Sequence, residues 1–265
     1  MAGFALIRKA SLVGAFFVSV VCLPAQAFCP APGPLPVAKV QRVVDGDTLR
    51  LVDGRSVRLI GLNSPELARK GRAAEPFAER ARQRLGELVA ANDGRVSVQV
   101  GEQGRDRYGR TLAHLYDGRG RNLEAQLLSE GLGHLVAIAP NVALVDCHRA
   151  AEREARSARA GLWKRSRVQG VAGVKGSGFM LIQGRVQRVE RNRGGLWLEL
   201  GHSVVLRIAP DALDTFDPAL LSGLSGKRVE ARGWMIDRSR QGGTKGDQAR
   251  WMLPLSHGAM LQVLP

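Results

Sequence analysis

Three observations make this an α+β chain: a small β-barrel packed by helices and followed by a second, mainly β domain. Short segments in which β-branched and aliphatic residues alternate with polar ones come first. Amphipathic helical patterns then appear among them at intervals. Past a stretch rich in Gly, Ser and basic residues, short strands separated by glycine-rich turns fill the remainder.

The elements follow in order. Prolines between Pro30 and Pro36 predict an extended lead-in, after which Val37 to Leu51 and Ser56 to Leu62 read as strands. Asp53-Gly54 between them is a hairpin signal. As a two-residue turn it sets Val52 against Arg55, Leu49 against Arg58 and Asp47 against Ile60. Glu75-Pro76 opens a helix in which Phe77, Ala81, Leu85, Leu88 and Val89 share a face, ending near Asn92-Asp93-Gly94. Strands at Arg95 to Val100 and Leu112 to Tyr116 come next, then a helix from about Asn122 to Glu130 stopped by Gly131. The last helix of this domain, which takes in residues 28–165, runs from about Val145 to Ala160. Glu152 there is set to pair with Arg156 one turn on, and Gly161 is the terminator.

Residues 166–178 lack periodicity and read as a linker. Beyond it, residues 179–265 carry strand patterns at Met180 to Val189, Leu196 to Leu200, Val204 to Ile208, Arg228 to Ile236 and Met252 to Leu255, the spacing of a small barrel or sandwich. Gln241 to Gly246 is a glycine-rich loop.

At 265 residues the chain has room for two modest cores. A formal charge of +15 with a pI near 11 favours polyanionic partners, and both halves share the basic excess. Residues 1–27 carry Arg8 and Lys9, an apolar run from Ser11 to Leu23 and then Ala25-Gln26-Ala27. This is the layout of a secretory signal cleaved after Ala27, and the run is too short to span a bilayer comfortably. The expected location is periplasmic or secreted, with no stable membrane insertion after cleavage. Removal of Cys22 with the leader leaves Cys29 and Cys147, which predicts one disulfide in an oxidising compartment. The five histidines are scattered and no CxxC occurs, which disfavours zinc.

Chemistry concentrates in a few stretches: Val44-Asp45-Gly46-Asp47-Thr48, Arg58, Asn63-Ser64-Pro65-Glu66 and Asp106-Arg107-Tyr108-Gly109-Arg110. In the two-residue-turn register, Asp47 and Arg58 are diagonal neighbours on one face. A gap of roughly 7 to 8 Å between such neighbours leaves room for a cation and a phosphate oxygen. Each stretch has a plainer reading, as a bend, a helix opening or a solvated basic turn. Their joint order favours a phosphodiester-cleaving site.

From about Val37 to Trp163 the chain resembles the staphylococcal nuclease, or thermonuclease-like, family. The resemblance rests on Val-Asp-Gly-Asp-Thr, Arg-Leu-Ile-Gly-Leu-Asn-Ser-Pro-Glu, Asp-Arg-Tyr-Gly-Arg and the closing Gly161-Leu162-Trp163. It implies an OB-type five-stranded β-barrel with three helices and a calcium-dependent nuclease acting on DNA and/or RNA to leave 3′-phosphate ends. By motif position, Asp47, Asn63 and the Ser64 carbonyl are implied metal ligands, with Asp45 supporting them. Glu66 is the implied activator of water, and Arg58 and Arg110 the implied phosphate clamp. Arg107 and Tyr108 are candidate substrate contacts.

Two departures stand out. Asn63 replaces the family's usual aspartate, which weakens calcium binding in expectation and admits another divalent cation. Beyond Gly131, where the family often carries nucleotide-contacting tyrosines, this chain reads His134-Leu135-Val136-Ala137-Ile138-Ala139-Pro140. In the second half, Trp197, Trp234 and Trp251 interleave with Arg185, Arg188, Arg207 and Arg232. That is the composition of a stacking and phosphate-tracking surface, although core packing is the commoner fate of such tryptophans. The alternative to a nuclease is a catalytically silent nucleic-acid-binding protein on the same fold.

Overall fold

The computed structural model describes residues 29–69, 71–165, 168–240 and 248–265, so the leader and the glycine-rich loop lie outside the described residues. The stretch read as one strand from Val37 to Leu51 folds back on itself. Strands β1 (Val37–Val43) and β2 (Thr48–Leu51) pair antiparallel, with Val43 opposite Leu49, and Asp45-Gly46-Asp47 forms the turn between them. The next hairpin also differs in register. Strand β3 (Ser56–Leu59) sets Arg58 opposite Thr48 and Val57 opposite Leu49, one residue from the expected pairing. The cause is a three-residue connection, Val52-Asp53-Gly54, closed by the Leu51 amide donating to the Arg55 carbonyl. Gly54 takes the left-handed conformation at φ 89° that such a loop needs.

Strand β4 (Leu62–Asn63), helix α1 (Ala78–Ala90), strands β5 (Arg95–Arg105) and β6 (Thr111–Tyr116), helix α2 (Leu123–Ser129), strand β7 (His134–Leu135) and helix α3 (Val145–Ser157) complete the first domain. Five strands close into a barrel in the order β1-β2-β3-β6-β5, with β3 and β6 parallel. This is the α+β, OB-type barrel with three helices that the motifs implied. Leu49, Leu51, Val57, Leu59, Val96, Val98, Ala113 and Leu115 fill its interior against Leu85 and Val89 of α1 and Leu127 and Leu128 of α2. Helix α3 stops at Ser157 rather than running to Ala160, because Arg159 turns left-handed at φ 50°. Cys29 and Cys147 are bonded, which ties the start of the described chain to the first turn of α3 across 118 residues.

The stretch read as a linker is partly ordered into the sheet. Strand β8 (Val168–Gly170) pairs parallel with β9 (Gly178–Arg185). Then follow β10 (Arg188–Asn192), β11 (Gly195–Leu200), β12 (Val204–Ile208), the short helix α4 (Pro218–Ser222), β13 (Arg228–Asp237), β14 (Trp251–Leu255) and β15 (Leu261–Val263). Among the described residues these strands make one eight-stranded sheet, β10-β11-β12-β14-β13-β9-β8 with β15 on β13. A closed barrel or a two-sheet sandwich was expected. The long β13 is the reason: it pairs with β9 over most of its length and passes from β15 to β14 on its other edge, so the strands stay in one sheet.

The second core is continuous with the first domain. Val136, Ala137 and Val145 pack into it, the Ala137 amide donates to Met260 Sδ at 3.3 Å, and Ser256 Oγ donates to the Ala137 carbonyl at 2.6 Å. Among the described residues no helix is long and apolar enough to cross a membrane.

Candidate active site

A cleft of about 1080 Å³ opens on the outer face of β2 and β3 and the β5–β6 turn. Its walls include Asp45, Asp47, Arg58, Asn63, Glu66, Arg107, Tyr108 and Arg110. Of the candidates between residues 45 and 110, every side chain is brought to this one cavity except Ser64, which is buried.

The acidic end is assembled by close backbone approach. Asp45 and Asp47 sit on the β1–β2 turn, where the Asp47 amide donates to Asp45 Oδ1 at 3.0 Å. Gly46 has no side chain because none fits: a Cβ there would lie 2.7 Å from Ser64 Cβ and 2.6 Å from Ala81 Cβ. That approach lets the Ser64 amide donate to Asp47 Oδ2 at 2.8 Å, while Thr48 Oγ1 donates to Asp47 Oδ1 at 3.0 Å. Asn63 is held by β4 pairing with β7, opposite His134.

Arg58 lies directly on Asp47, with Nη1 in an ion pair with Oδ1. Its Nη2 donates to Asn63 Oδ1 at 3.3 Å. The gap expected between Asp47 and Arg58 is thus closed by the guanidinium, because the longer turn sets Arg58 opposite Thr48 rather than Leu49, one step nearer Asp47. Burial pushes the Asp45 carboxyl up to about 7, and the neighbouring Asp47 charge pushes the same way.

The side-chain donors lining this end are all oxygens: the Asp45 and Asp47 carboxylates and the Asn63 amide. This set fits a hard divalent cation. Among the described residues no group of three or more His, Cys, Asp or Glu side chains is placed to hold a metal, so amide and backbone oxygens have to complete the site.

The opposite wall is the β5–β6 turn. Asp106 Oδ1 accepts the Tyr108 and Arg110 amides at 2.9 Å each, and Arg110 Nε donates to Asp106 Oδ2 at 2.7 Å. Burial would raise the Asp106 carboxyl, but these hydrogen bonds outweigh it and hold the group below the usual carboxylate range. Arg107 Nη2 donates to the Tyr108 hydroxyl at 2.8 Å, and Tyr108 is 69% exposed. Glu66 is exposed at the rim, anchored through its backbone: its amide donates to Glu75 Oε2 and its carbonyl accepts the Glu75 amide. Among the described residues its carboxylate has no ion-pair partner.

Three features of the cleft escaped the sequence reading. Arg42 and Arg50 line it as directly opposed residues of β1 and β2, a like-charge pairing that an anion between them would relieve. Only the strand register reveals it. Gln103 and Asn141 also reach the cleft, with the Gln103 amide donating to Asn141 Oδ1. The third is the place of Trp234: the sequence offered it for stacking, and the structure brings it from the second domain to this cleft.

The other candidates of that half separate. Trp251 is 5% exposed and belongs to the core, while Trp197 meets Arg207 and Arg238 away from the cleft. Arg232 is buried against Glu152, so it tracks no phosphate. The closing Gly161-Leu162-Trp163 does not line the cleft. The Leu162 amide donates to the Gly131 carbonyl, and Trp163 packs under the Arg156 guanidinium at 4.0 Å.

The family described as Staphylococcal nuclease homologue matches residues 56–165. Endonuclease YncB of Bacillus subtilis (strain 168) is 32% identical over 131 residues, 48% of this chain and 61% of the relative. The SPbeta prophage-derived endonuclease YokF of the same organism is 31% identical over 131 residues, 48% of this chain and 44% of the relative. A micrococcal nuclease of Shigella flexneri is 32% identical over 139 residues, 49% of this chain and 75% of the relative. The chain thus spans less than two thirds of the two Bacillus relatives.

Proposed function

This chain belongs to the staphylococcal nuclease family, and we propose that it is a metal-dependent nuclease hydrolysing DNA and/or RNA to 3′-phosphate products. The observation that carries this reading is the convergence of Arg58, Glu66 and Arg110 with Asp47 on one cleft. In this mechanism Glu66 takes a proton from a water molecule as its oxygen bonds to phosphorus, and the bond to the 5′ oxygen breaks, that oxygen taking a proton from solvent to leave as a 5′-hydroxyl. Arg58 and Arg110 meet the charge that gathers on the phosphoryl oxygens, since guanidinium stays charged at any working pH and offers paired donors. Arg58 moves from Asp47 to the phosphate for this step. A divalent cation held by Asp47, Asn63 and the Ser64 carbonyl, with Asp45 behind, would draw electron density from phosphorus and orient the water. Calcium is the ion proposed.

Arg42 and Arg50 extend the positive wall along the strand being cut. The leader layout of residues 1–27 supports a periplasmic or secreted location, where the Cys29–Cys147 bond is chemically at home.

The test is digestion of single-stranded DNA by the purified chain with calcium, with chelator and with a panel of divalent ions, followed by end-group analysis. Glu66→Gln should lose about 100- to 10,000-fold in rate with an unchanged melting temperature. Products with 5′-phosphates would refute the bond assignment. A second reading, a silent nucleic-acid binder, is favoured by Asn63 and by the guanidinium resting on Asp47. It predicts salt-sensitive binding and no cleavage with any metal.

A further inference from the structure

We propose that Trp234, supplied by the second domain, is the base-stacking residue of the cleft, taking the face of a nucleobase on the strand whose phosphate lies between Arg58 and Arg110. The proposal rests on the nuclease reading and deepens it. Trp234 is 41% exposed, against 5% for Trp251 on the neighbouring strand, and it lines the same cleft as Glu66.

Its aim follows from the period of a strand, in which alternate residues share a face. Glu230, Arg232 and Trp234 of β13 are such a set. Glu230 Oε1 meets Arg156 Nη2 at 2.7 Å, and Arg232 Nη1 meets both Glu152 oxygens at 2.7 Å, so the first two bind α3 of the first domain. Trp234 comes next on that face, and the cleft lies there. The buried ion cluster thereby fixes where the indole stands.

The ring is also backed. Phe179 meets it edge-on at 5.2 Å and stacks on His134 at 5.6 Å, and His134 meets Trp163 edge-on at 5.0 Å. These rings run across the domain interface, and the indole they support stays partly exposed in the cleft. Among the described residues the first domain's aromatic contribution to the cleft is Tyr108 of the β5–β6 turn, while Val136 and Ile138 line it without a ring. A flat apolar ring beside a phosphate-binding wall suits a nucleobase, and stacking of this kind changes affinity roughly 5- to 150-fold per base.

The test uses the full chain in a Glu66→Gln background with calcium, so that bound strands persist. Fluorescence anisotropy compares a labelled oligothymidylate with strands carrying one abasic nucleotide at successive positions. The Trp234-containing parent should prefer the intact strand at one abasic position by roughly 5- to 150-fold. Trp234→Leu, which keeps apolar bulk, should lose that preference, and Trp234→Phe should keep most of it. A Trp234→Leu protein with undiminished preference overturns the stacking assignment while the nuclease reading stands. Equal weakening on intact and abasic strands overturns it too, since that marks a packing role. Absence of both binding and digestion by the unsubstituted chain overturns both readings.

Discussion

At the scale of single residues, the acidic end depends on what Gly46 lacks. Alanine there would drive a methyl group into Ser64 and Ala81, part the β1–β2 turn from the Asn63-Ser64 segment and pull the Ser64 amide off Asp47. Gly46→Ala should cost about 1–3 kcal/mol by thermal melting and lower calcium affinity as well. Asn63→Asp should act in the opposite sense on the metal, tightening calcium binding about tenfold by calorimetry through the added charge. Asp106 and Arg110 teach restraint. The same spacing recurs at Asp117 and Arg121, where Asp117 Oδ1 accepts the Arg121 amide at 3.0 Å and Arg121 Nε donates to Oδ2 at 2.7 Å. This pairing is a local turn device, legible in sequence wherever it occurs. Arg110 differs from Arg121 because its turn borders the cleft.

Among the elements, α3 joins the most parts of the molecule. Cys147 bonds Cys29, and His148 Nε2 donates to Asn122 Oδ1, at 3.0 Å, in a buried network with Glu124 and His114. Glu152 accepts the Leu135 amide at 2.8 Å as well as Arg232. Breaking the disulfide with a reductant should lower stability by about 3 to 5 kcal/mol in denaturant titrations. Burial, followed by the nearby His114, lowers the His148 imidazole to about 3 from its ordinary 6.5. The unfolded chain gains a proton below pH 6.5 that the folded one refuses until about 3. The contribution is therefore whole above pH 6.5 and fades as the pH falls towards 3. Glu152 adds loss of the same sign below its ordinary 4.5, because Arg232 and Arg156 outweigh its burial and hold its carboxyl low. Asp45, whose carboxyl is pushed up to about 7, acts in the opposite sense over the same range in both proteins, so the check is the difference: between pH 6.5 and 4 the melting temperature should drop further in the parent than in His148→Gln.

For the whole molecule, the two domains are joined by charges taken out of water. Glu152, Arg232 and Glu230 are buried, and Arg156 closes the group. Removing one member leaves another charge without its partner, at a cost of about 3–5 kcal/mol. Arg232→Met should therefore melt well below the parent and be cut faster in limited proteolysis. If the domains were merely tethered, the same substitution would leave proteolysis unchanged.

How much of this was legible in the sequence divides along the range of the interactions. The sequence by itself determined the α+β class, the helices, the paired cysteines and the cleft's acidic, basic and turn motifs, because periodicity, turn chemistry and short spacings act within a few residues. Only the tertiary structure decided the hairpin registers, the Arg42–Arg50 opposition, the single open sheet and the arrival of Trp234 at the first domain's cleft. Those depend on a one-residue difference in turn length and on Glu152 and Arg232 meeting from 80 residues apart, and no local pattern encodes either.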